Sequence, residues 1–455
     1  GYVLALRLWC NLFGTHDAAT RGLSAVTSAL AVLTLFDVLR RLYGTRTALW
    51  SALIMAIAGP QVELAQEVRP YAMLTLFSLL CADVILLIKG EAGRGEAGKG
   101  EVGSLKDEKI IRTRIPSFLL QPSSLCISLA LLIFLTMLIH YFAIGVMLGL
   151  GGFTVLAMRG RARKLVLTSF ALAAVIFSIT WLPRMLMQRE TVSKTADNWL
   201  KEPPGGHLMR TASRFADVPL RLLILHEIAT DRYSRNLKYA SIGIVIVPFF
   251  LLRHGRGDLA LLCCWLGGTL GLLVMLDVFR HTRHLELVRY CLIAGPAIYA
   301  LPAALAMRSN ALIRNLIPGL VALSCSCALP ALGDLAKQKY REAGVYLDKH
   351  VEPGDVVVIF NYDNEPYYAA FTWLSLAHYS QKYPWPFVLV NGAFDDHVRK
   401  QLADAHAIWV VAPPGRVQPG KIIPGADPKH LDYFHRFGEI YRLPAPGREE
   451  LKIED

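Results

Sequence analysis

The chain reads as a polytopic α-helical membrane protein of about ten transmembrane helices with a small C-terminal α/β domain. Three observations lead there. Of its 455 residues, 54% are hydrophobic and only 18% charged, whereas a soluble domain carries about 25% charge. The apolar excess lies before residue 334, in blocks long enough to cross roughly 30 Å of hydrocarbon as a helix. From residue 334 onward, short apolar runs alternate with polar stretches as in a soluble domain. Charge divides at the same place, with 34 Lys+Arg against 20 Asp+Glu before Ala336 and 14 against 16 from there on. A soluble nucleic-acid binder would carry a basic excess on one folded face. Here the excess belongs to the apolar part, where membrane lipids and phosphates meet it, so nucleic acid is not an expected partner.

Taken in order, the expected spans are 18–39, 47–61, 70–88, 118–139, 141–158, 165–182, 238–252, 259–277, 290–307 and 311–331. Short loops rich in Lys and Arg mark the cytoplasmic side. Arg40, Arg41 and Arg46, the run Arg159 to Lys164, Arg253 with Arg256, and Arg308 with Arg314 fall in alternate loops, as does the 89–115 loop. The outer face then holds residues 1–17, the Gln61–Arg69 turn, an interfacial loop over 183–237, the 279–289 turn and the tail. The domains expected are therefore a membrane domain over 1–333 and a soluble α/β domain over 334–455 on the outer face.

Two outer segments break the charge rule. Arg280, Arg283 and Arg289 crowd one short turn together with His281 and His284. Between His207 and His226 the apolar residues Leu208, Ala212, Phe215, Val218, Leu222 and Leu225 keep a three/four spacing, with Arg210, Arg214 and Arg221 on the other side. That pattern predicts an amphipathic helix in the interface, interrupted at Pro219. Such surplus charge suits a solvated face, lipid headgroups in general, or one phosphate-bearing lipid.

Other patterns carry no chemistry. Gly93, Gly95 and Gly98 satisfy G-x-G-x-x-G, but no strand precedes them and Gly100 stands where a P-loop needs Ser or Thr. The stretch is a low-complexity repeat. All eight cysteines sit in apolar segments without metal-ligand spacing, so they read as helix fillers; neither a metal nor a cofactor is expected. In the tail, a helix over 334–350 is followed by strands at Val356–Phe360, Phe387–Val390 and Ile408–Val411. Helices fall at Pro366–Ser380 and Asp395–Ala405, and a last helix and strand near 427–437 and 439–443. The alternation predicts a small parallel sheet.

Four patches resemble one family. Gly1 to Trp9 with Leu12-Phe-Gly14 resembles an interfacial helix, and Arg21 followed by Arg40-Arg41-Leu-Tyr-Gly44 its next helix and basic turn. Gln66-Glu-Val-Arg-Pro-Tyr71 resembles a characteristic outer turn. His140-Tyr141, and Arg289-Tyr290 leading into Pro296, are further echoes. Together they resemble the membrane GT-C glycosyltransferases, in the protein mannosyltransferase and aminoarabinose transferase branch (glycosyltransferase family 39). The resemblance implies transfer of a sugar from a polyprenyl-phosphate-linked donor to a protein or glycolipid acceptor at the outer face of a bacterial inner membrane. It also implies an acidic base in a first outer loop. That loop is expected upstream of Gly1, so the chain reads as N-terminally truncated.

The chemistry expected of such a site is simple. A carboxylate takes the acceptor proton, and cations hold the departing phosphate. Arginine suits the second role because its planar fork stays charged. Candidate lipid-phosphate residues are Arg69, Tyr71, Arg280, Arg283, His284, Arg289 and Tyr290, with Arg210 and Arg214 close by. The outer carboxylates are Glu63, Glu67, Asp197, Glu202, Asp217, Glu227, Asp231 and Glu286, among which Glu67 is the candidate base. Arg69-Pro70-Tyr71 also fits plain helix initiation, and His140 an interfacial structural histidine. Two other readings remain open. A transporter or lipid flippase would use ionisable groups inside spans, here Asp37 and Asp83 towards the cytoplasmic ends, with Asp277 at an outer end, and a non-catalytic membrane partner would dock through its tail.

Overall fold

In the computed structural model the described residues are 1–97, 121–187, 201, 206–224, 235–330, 336–361, 376–377, 380, 385–391, 396–412, 429–434 and 438–444. They belong to two compact units, Gly1–Leu332 and Gly333–Asp455.

The first unit is helical: α1 (Tyr2–Phe13), α2 (Asp17–Tyr43), α3 (Thr45–Ile57), α4 (Gly59–Ala65), α5 (Tyr71–Ala97), α6 (Pro122–Ile139), α7 (Ala143–Ala157) and α8 (Gly160–Thr180). Then follow α9 (His207–Leu223), α10 (Arg235–Arg253), α11 (Ala260–Arg280), α12 (Val288–Cys291), α13 (Gly295–Ala306) and α14 (Ala311–Ala328). Among the described residues six helices are long and apolar enough to cross a membrane, or seven if the bent pair α3 and α4 counts as one span. The protein is an integral membrane protein, and among the described residues not every expected span is one full-length helix. Four segments are shorter apolar helices. Hydropathy registers apolar content, whereas span length depends on where the chain turns. The expected 47–61 span, for example, bends by 61° between α3 and α4. Ala58 is extended there (φ −63°, ψ 123°) and Pro60 lies in the first turn of α4, because a proline has no amide proton to give the Ala56 carbonyl and its ring crowds that carbonyl, so α3 does not run on through it.

Two further expectations are corrected. The cytoplasmic loop expected from residue 89 starts later, because α5 runs on to Ala97; the rest of that loop lies outside the described residues. Helix α9 is not interrupted at Pro219 but carries it inside one continuous helix. The lost backbone bond is offset by the burial of Val218, Leu220, Leu222 and Leu223 around it. Its charged face is also not simply solvated, since Arg221 is buried.

Close approach of α7 and α11 depends on small residues. Gly145 and Gly149 of α7 face Cys264 and Gly268 of α11, both pairs spaced by four. A Cβ on Gly149 would come 3.0 Å from Trp265 Cα, and one on Gly268 would come 2.7 Å from Gly149 Cα. This is small-residue packing of the kind membrane helices use where apolar burial gives no preference for protein over lipid. At one end of the bundle, polar bonds join the helices. The Tyr43 hydroxyl donates to the Asp258 carbonyl at 2.8 Å. Arg256 and Arg308 donate to the Asp258 carboxylate, and Arg46 and Trp50 to Asn315.

The second unit holds α15 (Ala336–His350), α16 (Asp396–Leu402) and strands β1 (Val356–Asn361), β2 (Phe387–Asn391), β3 (Ala407–Ala412), β4 (Lys429–Phe434) and β5 (Gly438–Pro444). The sheet order is β2-β1-β3-β5-β4. The first three strands pair in parallel, but β5 runs antiparallel to both β3 and β4. The sheet is therefore mixed, and the helix expected over 427–437 is strand β4. The close spacing of β4 and β5 along the chain makes them a hairpin, and a hairpin pairs antiparallel. Most of the expected 366–380 helix lies outside the described residues. Both sheet faces are covered: Val358, Val390, Ile408 and Val410 pack with Val398 and Leu402 of α16. Val357, Ile359, Trp409 and Val411 pack with Ala343 and Leu347 of α15, which accounts for the unbroken apolar runs of the strands.

Candidate functional site

At the other end of the helical unit, three turns far apart in sequence meet. The first, between α4 and α5, is tight, with the Arg69 amide donating to the Glu67 carbonyl at 2.8 Å. Pro70 immediately precedes α5, which begins at Tyr71, and its carbonyl accepts from the Leu74 amide at 2.9 Å. The Arg69 guanidinium lies 3.7 Å from the Glu67 carboxylate and is half exposed. The Ser24 hydroxyl of α2 donates to the Arg69 carbonyl at 3.5 Å. Tyr71 points into the bundle and is buried.

The second turn, His140 to Phe142, joins α6 to α7. The His140 ring is 5.5 Å from Tyr71, 4.4 Å from Tyr141 and 5.0 Å from Phe142. Burial brings the His140 imidazole down to about 4, because an apolar surrounding disfavours the charged ring. It is therefore neutral near pH 7 and adds no cation, and its Nδ1 accepts from the Phe142 amide at 3.2 Å.

The third turn, between α11 and α12, supplies the cations. Arg280 is exposed, while Arg283 and Arg289 are half-buried. The Arg289 guanidinium carbon lies 5.1 Å from the centroid of the Tyr290 ring, within cation–π range. Tyr290 in turn is 6.4 Å from Tyr71 and 4.8 Å from Phe142. The charges of both Arg69 and Arg289 act on the Tyr71 phenol, and those of Arg280 and Arg289 on the Tyr141 phenol. Tyr71, Tyr290, Arg69, Arg280 and Arg289 thus share one neighbourhood.

His284 has a different placement. It is buried, and its Nδ1 lies 2.9 Å from Asp277 and 2.8 Å from the Thr282 hydroxyl. Its ring also packs edge-on to Phe142 at 5.8 Å. The interfacial helix α9 closes the other side of this turn. Arg214 pairs with Glu286 at 3.1 Å, and Arg221 donates to the carbonyls of Leu285 and Glu286. Burial lowers the proton affinity of Arg221, and the two carbonyls take up its charge.

Among the outer carboxylates named from sequence, Asp197, Glu202, Glu227 and Asp231 lie outside the described residues. Glu286 is committed to Arg214, and Glu67 stands beside Arg69. Among the described residues no group of three or more His, Cys, Asp or Glu could hold a metal ion. Sequence reasoning placed Asp277 at an outer span end but missed its part in this region. Its signal was its distance from Thr282 and His284, five and seven residues on, one helical turn before a basic turn. Arg221 was likewise read as part of a solvated face, because helical periodicity cannot show which polar groups a neighbouring turn will cover.

Residues 2–91 match the family described as dolichyl-phosphate-mannose-protein mannosyltransferase. Among solved structures, the chain is similar to ArnT from Cupriavidus metallidurans in the apo state, with 11% identity and a TM-score of 0.54. The similarity covers 100% of this chain and 88% of that one. The same protein bound to undecaprenyl phosphate matches with 12% identity and a TM-score of 0.51 over the same shares. No curated protein sequence matches the chain. The matched segment contains the Arg69 turn, the ArnT likeness runs the length of the chain, and the protein shares the fold of ArnT.

Proposed function

We propose that this protein transfers a sugar from a polyprenyl-phosphate-linked donor to a protein or glycolipid acceptor at the outer face of a bacterial inner membrane. The observation that carries the reading is the convergence of Arg69 and Arg289 on the Tyr71–Tyr290 aromatic pair, with Arg280 beside the neighbouring Tyr141, at one end of an apolar bundle. Cations at the edge of hydrocarbon suit a lipid whose head is a phosphate and whose tail is apolar. The ArnT structure that holds undecaprenyl phosphate has the same fold.

In the reaction, an acceptor heteroatom attacks the anomeric carbon, the carbon–oxygen bond to phosphate breaks, and polyprenyl phosphate departs with the bonding pair. Arg69, Arg280, Arg283 and Arg289 hold the phosphate as its charge grows. Glu67, beside Arg69, is the described carboxylate best placed to take the acceptor proton. A transporter reading has less support, because each acid inside a span already has a local partner. Asp37 pairs with Arg40, Asp83 with Arg41, and Asp277 serves the 281–286 turn.

Undecaprenyl phosphate binding in nanodiscs tests the reading. Arg69→Ala and Arg289→Ala are each expected to weaken affinity by about tenfold, the value of one charge-assisted contact. Glu67→Gln is expected to keep lipid affinity and to abolish sugar transfer. Unchanged affinity in both arginine variants would falsify the site.

A further inference from the structure

We infer that Asp277 is a positioning residue for lipid-phosphate binding: its buried carboxylate shapes the 281–286 turn and thereby sets where Arg280, Arg283 and Arg289 stand. The inference rests on the proposed function, but it concerns a residue that makes no contact with the lipid phosphate in that reading.

Asp277 lies in the last turn of α11 with no exposed side-chain surface. A carboxylate there does not stabilise the helix, because the C-terminal end of the macrodipole is already negative. Burying the charge is also costly unless hydrogen bonds compensate it. Four donors do so, and all come from one short segment. Oδ1 accepts from the His284 amide at 2.7 Å, the His284 Nδ1 at 2.9 Å and the Thr282 hydroxyl at 2.9 Å. Oδ2 accepts from the Leu285 amide at 2.9 Å. Because a carboxylate only accepts, the imidazole proton sits on Nδ1.

These bonds hold an unfavourable backbone. His281, a non-glycine residue, has φ +52°, in the left-handed region that side chains disfavour. From the other side, Arg221 of α9 donates to the Leu285 and Glu286 carbonyls. The basic turn is thus pinned between a buried acid and a buried arginine. An asparagine at 277 would turn an amide NH2 towards backbone N–H groups, setting donor against donor.

Undecaprenol serves as the probe without a phosphate, so the ratio of its Kd to that of undecaprenyl phosphate isolates the headgroup. Asp277→Asn is expected to reduce this ratio by about tenfold while undecaprenol affinity stays unchanged, an outcome that general unfolding does not produce. In a cycle with Arg289→Ala, the double variant is expected to match the weaker single variant, since Asp277 acts through the arginines. A wild-type ratio in folded Asp277→Asn protein, or effects that multiply in the double variant, would overturn the inference. Should Asp277→Asn fail to fold, Thr282→Val removes one donor. It is expected to lower the ratio by about threefold, and an unchanged ratio overturns the inference equally. If wild-type protein shows no preference for undecaprenyl phosphate over undecaprenol, the proposed function itself falls.

Discussion

Gly268→Val is expected to prevent α7 and α11 from docking and to leave little monodisperse protein after detergent extraction. The first side-chain carbon at 268 would meet the Gly145 carbonyl oxygen and the Gly149 amide nitrogen at contact distances no real Cβ reaches, with Gly149 Cα 2.7 Å away. All three are backbone atoms, so no rotamer change relieves the clash; the helices must separate. Overpacking of this kind costs about 3 kcal/mol or more, and van der Waals contact is the main force holding such a pair together in lipid. Gly271 gives the control. It lies one turn further along α11, and a Cβ there meets nothing within 4 Å. Gly271→Val is expected to extract and melt like the wild type. Equal behaviour of the two variants in size-exclusion and thermal-unfolding measurements would refute the packing argument.

Asp258→Ala is expected to loosen the opposite end of the bundle without touching the candidate site. Its carboxylate accepts from Arg256 Nη2 at 2.9 Å and from Arg308 Nη2 at 3.1 Å, and its carbonyl accepts from Tyr43 at 2.8 Å. Arg256 also donates to the Ala304 carbonyl at 3.3 Å, so one acid ties together the ends of α2 and α13 and the start of α11. Removing it leaves the buried Arg256 guanidinium without a counter-charge. Breaking a fully buried pair costs roughly 3–5 kcal/mol. Asp258 retains some exposure, which brings the expected loss to about 2 kcal/mol. A fall of several degrees in the unfolding midpoint, with undecaprenyl phosphate affinity retained, is the expected result. An unchanged midpoint would show that this network contributes nothing to stability.

Much of the helical unit was legible because hydrocarbon imposes a simple rule: an apolar segment near 20 residues long must satisfy its own backbone, and a helix does so. Hence α2, α5, α8, α11 and α14 fall close to their expected positions. The bend at Ala58 was less legible, since 47–61 is apolar throughout and only Pro60 marks the break. The Gly145–Gly149 spacing was present in the sequence, but without its partner on α11 it resembled any pair of glycines in a span. In the tail, the first three strands were read from their apolar runs. The mixed residues of Lys429–Phe434 fit either period, and only its pairing with β5 makes it a strand.

The candidate site divides in the same way. Arg69, Tyr71, Arg289 and Tyr290 could be named from local motifs and from charge on the side where topology disfavours it. Their convergence could not, because it depends on how α5, α7 and α11 pack and therefore on contacts between residues more than 200 positions apart. His284 shows the difference most clearly. In sequence it is one more cation in a basic turn; in the fold its Nδ1 is bonded to Asp277. The sequence by itself determined that this is an integral membrane protein with a basic cluster at one set of helix ends, since hydropathy and charge are properties of the chain. Only the tertiary structure decided which charges face the site and which hold it in shape, because a buried charge takes its role from the partners that packing brings to it.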